Sequence, residues 1–320
     1  MIRSELAATG IDDPRLREAY RRCRQLNAAH GRTFFLATRL LAPDQRPPVH
    51  ALYGFARYAD DILDSFNPNL DKDIRASQLQ ELADQFFAGS DHYDNPVLAA
   101  VSDTARRYNI AAELFKDFLA SMRMDLTITD YPNREALNDY MRGSAEAIGL
   151  QVLPILGTVV PAETAAPHAA ALGRAFQLTN FIRDVDEDLA RNRVYLPADE
   201  LAASGVDRDL LMWCHHNRRI DARVRNALAA QHEITRKTYR FAADGVAMLA
   251  PRSRPCVATA LKLYSEILDC VEDNDFEVFG YRATVGQARR IRVAGAGLIQ
   301  AWWARSSVSE IVERSNPGAA

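Results

Sequence analysis

The residues best suited to chemistry in this 320-residue chain gather in two short stretches. In QLTNFIRDVDEDLARNRVYLP, from Gln177 to Pro197, steps of three and four residues separate Gln177, Asn180, Asp184 and Asp188. On an α-helix such steps return to one side, so two amides and two carboxylates share a stripe. Leu178, Ile182, Val185 and Leu189 form a second stripe roughly 100° away, suited to packing on a core. In YGFARYADDILD, Tyr53, Arg57, Asp60, Asp61 and Asp64 share a helical face, with Asp60 and Asp64 one turn apart. Crowded like charges cost stability, and a solvated acidic patch is the bland explanation of one such cluster. The flanking Leu52, Phe55, Ala56, Tyr58, Ala59, Ile62 and Leu63 argue against it, because a helix apolar nearly all round is buried and buried carboxylates need ions.

Two carboxylate helices, one from each half, suit hard cations with oxygen ligands. Magnesium is commonly held by one or two carboxylates together with substrate phosphates, so the implied substrate is a diphosphate. Zinc fits less well, since the seven histidines, His30, His215 and His216 among them, never pair with cysteine or glutamate at ligand spacing. His30 is expected to be structural or a hydrogen-bond donor.

The elements that must position these groups are helices. Helical periodicity covers Pro14 to Ala29, Pro48 to Asp64, Ile74 to Phe87, Pro96 to Tyr108 and Ala111 to Met124, with breaks at Pro43, Pro47, Pro68, Gly89 and Pro132. It resumes over Arg134 to Leu156, Ala165 to Asp188, Arg218 to Leu249, Pro255 to Asp273 and Thr284 to Arg305. Strand signals are nearly absent, and no low-complexity linker or short repeat divides the chain. The expectation is one all-α domain over 1–320, a helical bundle around a central cavity, with 1–29 as an N-terminal helical extension.

Composition sets outer limits. With 48% hydrophobic and 25% charged residues the balance is globular, and a net charge of -3 gives no basic field for nucleic acid. Cys23, Cys214, Cys256 and Cys270 lie far apart with neither zinc nor disulfide spacing, which fits packing thiols in a reduced, cytoplasmic protein. The amino terminus lacks the apolar core of a secretory signal, and no stretch reaches the roughly 20 apolar residues of a membrane span, so a soluble chain is expected. Trp302 and Trp303 read first as tryptophans docking the last helix; a lipid substrate would favour the other reading, peripheral contact with a bilayer surface.

From about His30 to the last helix the chain resembles the squalene and phytoene synthase family of all-α isoprenoid enzymes. The second family motif is matched at Leu172-Gly173, Gln177, Asn180-Phe181, Arg183-Asp184, Asp188, Arg193, Tyr195 and Pro197. Asp60-Asp61 with Asp64 matches the first aspartate motif, and HGRTFF from His30 is similar to the segment before it. YMRGSAEAIGLQVLPI, from Tyr140, resembles a third motif, departing at Glu146, where a small residue is usual, and at Val152.

The resemblance implies the isoprenoid synthase fold and a prenyltransferase dependent on magnesium, or manganese in its place. Asp60, Asp61 and Asp64 with Asp184, Asp188 and Asn180 would hold the metal, and Gln177 would complete the second site. Arg57, Arg193 and Arg282 would contact diphosphate, whose oxygens suit arginine's planar fork. Tyr140 and Tyr264 would sit near the reacting carbons, His30 and Tyr195 near substrate, and Phe34 and Phe181 would line the wall. Two prenyl diphosphates would join head to head (1'-1) through a cyclopropyl diphosphate. The local resemblance is closest to bacterial phytoene synthases, which favours two geranylgeranyl diphosphates and proton loss, with NADPH not expected. Alternatives are a squalene, dehydrosqualene or presqualene diphosphate synthase using farnesyl diphosphate, a terpene cyclase-like enzyme, and a non-catalytic family member. Protein partners and oligomeric state are not implied.

Overall fold

In a computed structural model, which describes residues 2–64, 71–89, 94–283 and 286, helix boundaries follow caps and prolines that the chain supplies. After a short α1 (Ile2–Ala8), the Asp13 carboxylate accepts from the amides of Arg15 and Leu16, and Pro14 fills the first position of α2 (Pro14–His30). α3 (Arg32–Thr38) and α4 (Arg46–Asp64) follow. Asp71 caps α5 (Lys72–Phe87), and Asn95 caps α6 (Pro96–Arg107). Then come α7 (Ala112–Met124) and α8 (Arg134–Met141), the latter capped by Asn133. The second half holds α9 (Ala147–Leu156), α10 (Ala162–Arg183), α11 (Val185–Ala190), α12 (Ala198–Ala203), α13 (Arg208–Asn217), α14 (Ala222–Asp244) and α15 (Arg254–Asp273). Among the described residues extended pairing is limited to two isolated bridges, so the expected all-α class is the one observed.

Several expected boundaries are corrected. The single helix over Arg134 to Leu156 is α8, a π-helical turn (Arg142–Glu146) and α9. The stripe helix also divides: α10 ends at Arg183, Asp184 sits at φ -102° and ψ 14°, and α11 resumes at Val185. The amides of Asp184 and Asp188 still reach the carbonyls of Asn180 and Asp184, both at 2.8 Å, so the turn is local. Aspartate, with a short polar side chain, is suited to such a joint. α1, α3, α12 and α13 have no counterpart in the periodicity, since elements of 10 residues or fewer carry too few turns to declare a period. The expected helix Thr284 to Arg305, with Trp302 and Trp303, the break at Pro68, and the side chain of Asp64 lie outside what is described.

α10 is the central strut, packing on α9, the π turn, α14 and α15. On one side lies a core in which Phe55 meets Phe86, Phe115 and Phe118 at ring separations of 5.1 to 5.8 Å. On the other is a core built from α8, α11 and α13 that includes Tyr131, Tyr140, Phe181 and Val185. Leu172 of α10 packs on both. The seam between α10 and the π turn with α9 is backbone on backbone. A Cβ at Gly173 would lie 2.3 Å from the Ala145 carbonyl oxygen, and one at Gly149 would lie 2.3 Å from that of Ala169. Each side thus supplies one glycine to receive the other's carbonyl.

Two outcomes follow from this packing. Gly173→Ala must push α10 off the π turn, and a loss of about 2–3 kcal/mol is expected in urea denaturation. The second concerns His50, buried in α4, with Nδ1 2.9 Å from Asn27 Nδ2 and the ring stacked on Phe35. Burial, then Arg24 and Arg46, push its pKa down to about 3. The neutral ring is favoured in the fold, so this contribution is complete above the unfolded value near 6.5 and is lost as pH falls toward 3. The wild type should lose about 2 kcal/mol on this account between pH 6.5 and 5, and His50→Gln should flatten that slope in thermal denaturation at stepped pH.

Candidate active site

A cavity of about 520 Å³ opens between α2, α4, the π turn, α10 and α15. Its wall is made by residues already placed by those helices: Tyr53 and Ala56 from α4, Ser144 and Ala145 from the π turn, Gly173, Phe176 and Gln177 from α10, and Tyr264 from α15. His30, Arg183 and Arg282 add the polar groups. Phe34, Val49, Ile148, Val152, Gly173 and Phe176 also line a second space of about 140 Å³, so the two adjoin across these residues. That inner arm is apolar and runs past Thr38, Leu41, Leu156, Leu249 and Cys256. One end of the cavity therefore carries guanidinium, imidazole and amide groups, and the other carries hydrocarbon. The Phe176 and Tyr264 rings stack at 4.2 Å and those of Phe34 and Tyr53 at 5.7 Å, giving aromatic faces at the join.

At the polar end Asp184 holds two arginines. Arg183 donates to its two oxygens at 2.7 and 2.5 Å, and Arg282 does the same at 2.9 and 3.2 Å. Burial alone would raise the Asp184 pKa, but the hydrogen bonds and charge of Arg183 and Arg282 outweigh it and hold the carboxyl below its ordinary value. Asp188, one turn on, is in the opposite condition. Burial first, then the charge of Asp184, push its pKa up to about 7 despite Arg191 and Arg193. Asn180 Nδ2 points to Gln177 Oε1 at 3.4 Å, so the two amides of the stripe are adjacent.

On the facing side, Asp60 is half-buried in α4 and its charge, with that of Asp61, reaches the Tyr53 phenol. Burial pushes that phenol up to about 12. Asp61 is exposed and paired with Arg57. Arg57 therefore faces a carboxylate, and its buried Nε has no hydrogen-bond partner among the described residues. Glu146 is answered by Arg174 at 2.5 Å, so the charge in the usually small position is paired.

Tyr140, Phe181, Arg193 and Tyr195 gather elsewhere, around Asp125. The Tyr140 and Tyr195 hydroxyls donate to the two Asp125 oxygens at 2.9 and 3.1 Å, and Arg193 donates to the Asp125 backbone carbonyl at 2.8 Å. The Phe181 and Tyr195 rings stack at 4.3 Å, and Tyr131 and Tyr140 meet at 5.5 Å. Burial, followed by the Asp125 charge, raises the pKa of Tyr131, Tyr140 and Tyr195, and the latter two stay protonated donors to Asp125, while the buried Tyr131 hydroxyl has no hydrogen-bond partner among the described residues. Sequence reasoning missed Asp125, and it left Tyr53 and Arg183 off the substrate-contact set although each lines the cavity and stands in a recognised motif, whereas Phe176, which the sequence offers as a wall residue, does line it. A lone aspartate after α7 gives no sequence signal; Arg183, next to a matched aspartate, did.

The sequence profile of squalene/phytoene synthases matches residues 27–289. The chain belongs to that family. Family membership makes it a prenyltransferase of isoprenoid biosynthesis. It is 36% identical over 281 residues to a phytoene synthase of Arthrospira platensis, covering 84% of this chain and 88% of that one. A chloroplastic phytoene synthase 1 of Zea mays is 35% identical over 288 residues, covering 88% of this chain and 68% of its own length. Among solved structures, a dehydrosqualene synthase superposes with a TM-score of 0.78 at 24% identity, covering 92% of this chain and 98% of that one. A squalene synthase of Alicyclobacillus acidocaldarius gives 0.74 at 24%, covering 84% and 98%. These structures share the isoprenoid synthase fold of the family. Among the described residues no helix is long and apolar enough to cross a membrane. The Asp125 node of this synthase is open to test: Asp125→Ala strands two buried hydroxyls, and a loss of about 3 kcal/mol in urea denaturation is expected, against a smaller loss for Asp125→Asn.

Proposed function

We propose that this synthase joins two molecules of geranylgeranyl diphosphate head to head (1'-1) through a cyclopropyl diphosphate, and ends by proton loss to give phytoene for carotenoid biosynthesis. The observation that carries this reading is the cavity with a cationic mouth at Arg183 and Arg282 and an apolar arm beyond Phe34 and Phe176. Its chemistry matches a substrate with a doubly charged head and a long hydrocarbon tail. The phytoene synthases from Arthrospira platensis and Zea mays, at 36% and 35% identity, favour that product over the alternatives built on farnesyl diphosphate.

The chain's own groups suit each demand of such a reaction. Arg282 and Arg183 offer paired N–H donors, which now hold the Asp184 carboxylate and can hold diphosphate oxygens in the same geometry. Gln177 and His30 add polar contacts at the mouth. The aromatic faces of Phe176, Tyr264, Phe34 and Tyr53 suit an allylic cation, and the apolar arm keeps water from it. Asp60, Asp61 and Asp64 on one side, with Asp184, Asp188 and Asn180 on the other, are the groups we assign to divalent metal. Asp188 supports that assignment, because a carboxylate pushed up to about 7 by burial and by Asp184 is short of positive charge. Magnesium, when bound, neutralises the charge that develops on the departing diphosphate. Tyr140, Arg193 and Tyr195 are assigned to order the segment beside Asp188, whose carbonyl accepts from the Arg193 amide at 2.8 Å. Because a C40 hydrocarbon is insoluble in water, we assign the cytoplasmic enzyme a peripheral contact with the membrane that receives it.

The test is product identity. The purified chain is incubated with magnesium and geranylgeranyl or farnesyl diphosphate, with and without NADPH, and the hydrocarbon is identified by mass spectrometry. A C40 hydrocarbon formed without NADPH is expected; a C30 product would replace the substrate, and cyclic products or alcohols would replace the reaction. Asp60→Asn and Asp184→Asn should each lower turnover by about 100-fold or more. Unchanged turnover in both would remove these carboxylates from the mechanism.

A further inference from the structure

We propose that Asp186, which lies between the two aspartates of the second motif, is a positioning residue that holds the Arg282 loop over the polar end of the cavity. The inference rests on the reading of Arg282 as a diphosphate ligand. Two residues from Asp184 on α11, Asp186 is turned roughly 200° away from it. Its carboxylate is engaged by three groups: His215 Nδ1 at 2.6 Å and Arg218 Nη1 at 2.7 Å, from α13 and its C-cap, and the backbone amide of Gly280 at 3.1 Å. A carboxylate only accepts, so His215 presents its proton on Nδ1. Gly280 stands at φ +79°, a conformation that favours glycine, and its amide is thereby turned toward the carboxylate.

Two residues further on, Arg282 reaches back over α11, meeting Asp184 at 2.9 Å and Glu187 at 3.3 Å. α11 and the Asp184 joint before it thus hold the same loop twice, by the guanidinium through Asp184 and by the backbone through Asp186. The two attachments differ in what a diphosphate does to them. Phosphate oxygens compete with Asp184 for the Arg282 guanidinium, which is half exposed at the mouth of the cavity. The bond from Gly280 to Asp186 does not involve the guanidinium, so it persists through that exchange and keeps the arginine within reach of the incoming anion. Without it, among the described residues, the loop's polar ties to α11 and Asp184 are those of the arginine that must be given up; buried Val278, Phe279 and Ala283 still anchor the chain on either side, and binding a diphosphate then carries the cost of fixing the Gly280 to Arg282 backbone.

The full chain carrying Asp186→Ala, Arg282→Ala or both is titrated with inorganic pyrophosphate in the presence of magnesium by calorimetry. Thermal denaturation of each variant establishes that it is folded. Asp186→Ala is expected to weaken pyrophosphate binding about tenfold, whereas in the Arg282→Ala background it should add less than about twofold. Asp186→Asn keeps an oxygen for the Gly280 amide and should fall between wild type and alanine; it also serves the cycle if the alanine variant does not fold. Additive losses would make Asp186 a merely structural residue and overturn the proposal, as would a folded Asp186→Ala with unchanged affinity. If Arg282→Ala itself leaves affinity unchanged, the diphosphate role of Arg282 falls and this inference falls with it. Loss in Arg282→Ala without loss in Asp186→Ala removes the inference alone.

Discussion

The site depends on how closely α10 can approach the π turn and α9. Carbonyls of Ala145 and Ala169 sit where side chains at Gly173 and Gly149 would begin, so the two backbones meet with no side chain between them. Phe176, Gln177 and Arg183 are carried on the same helix, and their reach into the cavity is set by that separation. The π turn adds a residue to the facing helix where Ser144 and Ala145 border the cavity, as such insertions often do beside functional groups. Packing and site geometry are therefore one constraint, and it is satisfied by glycine on both sides.

A second constraint is electrostatic. A half-buried carboxylate in an otherwise apolar bundle must be answered by charge, and Asp184 and Asp188 are answered unequally. Asp184 has two guanidinium groups and is held ionised; Asp188 has none in direct bidentate contact among the described residues and is pushed toward its protonated form. The same arginines that satisfy the protein are those we assign to the substrate diphosphate. The resting site thus stays charge-balanced without occupying its donors with groups that cannot be exchanged.

Much of this was legible in the chain. Long helices announced themselves by period and by the prolines and glycines between them; α2, α5 and α6 lie close to where spacing puts them, and α14 falls inside the expected Arg218 to Leu249. The carboxylate stripe was legible as a set of residues but not as a straight helix. Its joint at Asp184 is tied to Arg282, 98 residues away, and periodicity carries no information at that separation. For the same reason Tyr140 and Tyr195 could be singled out individually, whereas the Asp125 that joins them, 15 and 70 residues distant, could not. Short helices such as α3, which carries Phe34 to the cavity, fall below the length at which a pattern repeats.

The inner arm has a consequence for selectivity between reaction partners. An electrophilic carbon held there meets few groups able to capture it. Thr38 commits its hydroxyl proton to the carbonyl of Phe34 at 2.8 Å, and the Cys256 thiol, pushed up to about 12 by burial, is not a thiolate at any pH the protein would meet. Sulfur, ordinarily the strongest nucleophile a wall can offer, is here kept as the thiol by the same dryness that, in the proposed reaction, would protect a cation from water. Among the described residues the one imidazole on this arm, His168, has its Nδ1 2.7 Å from the Phe241 carbonyl oxygen; the rest of these residues are spectators by protonation state and composition, and in the proposed reaction the fate of the cation is left to the second substrate.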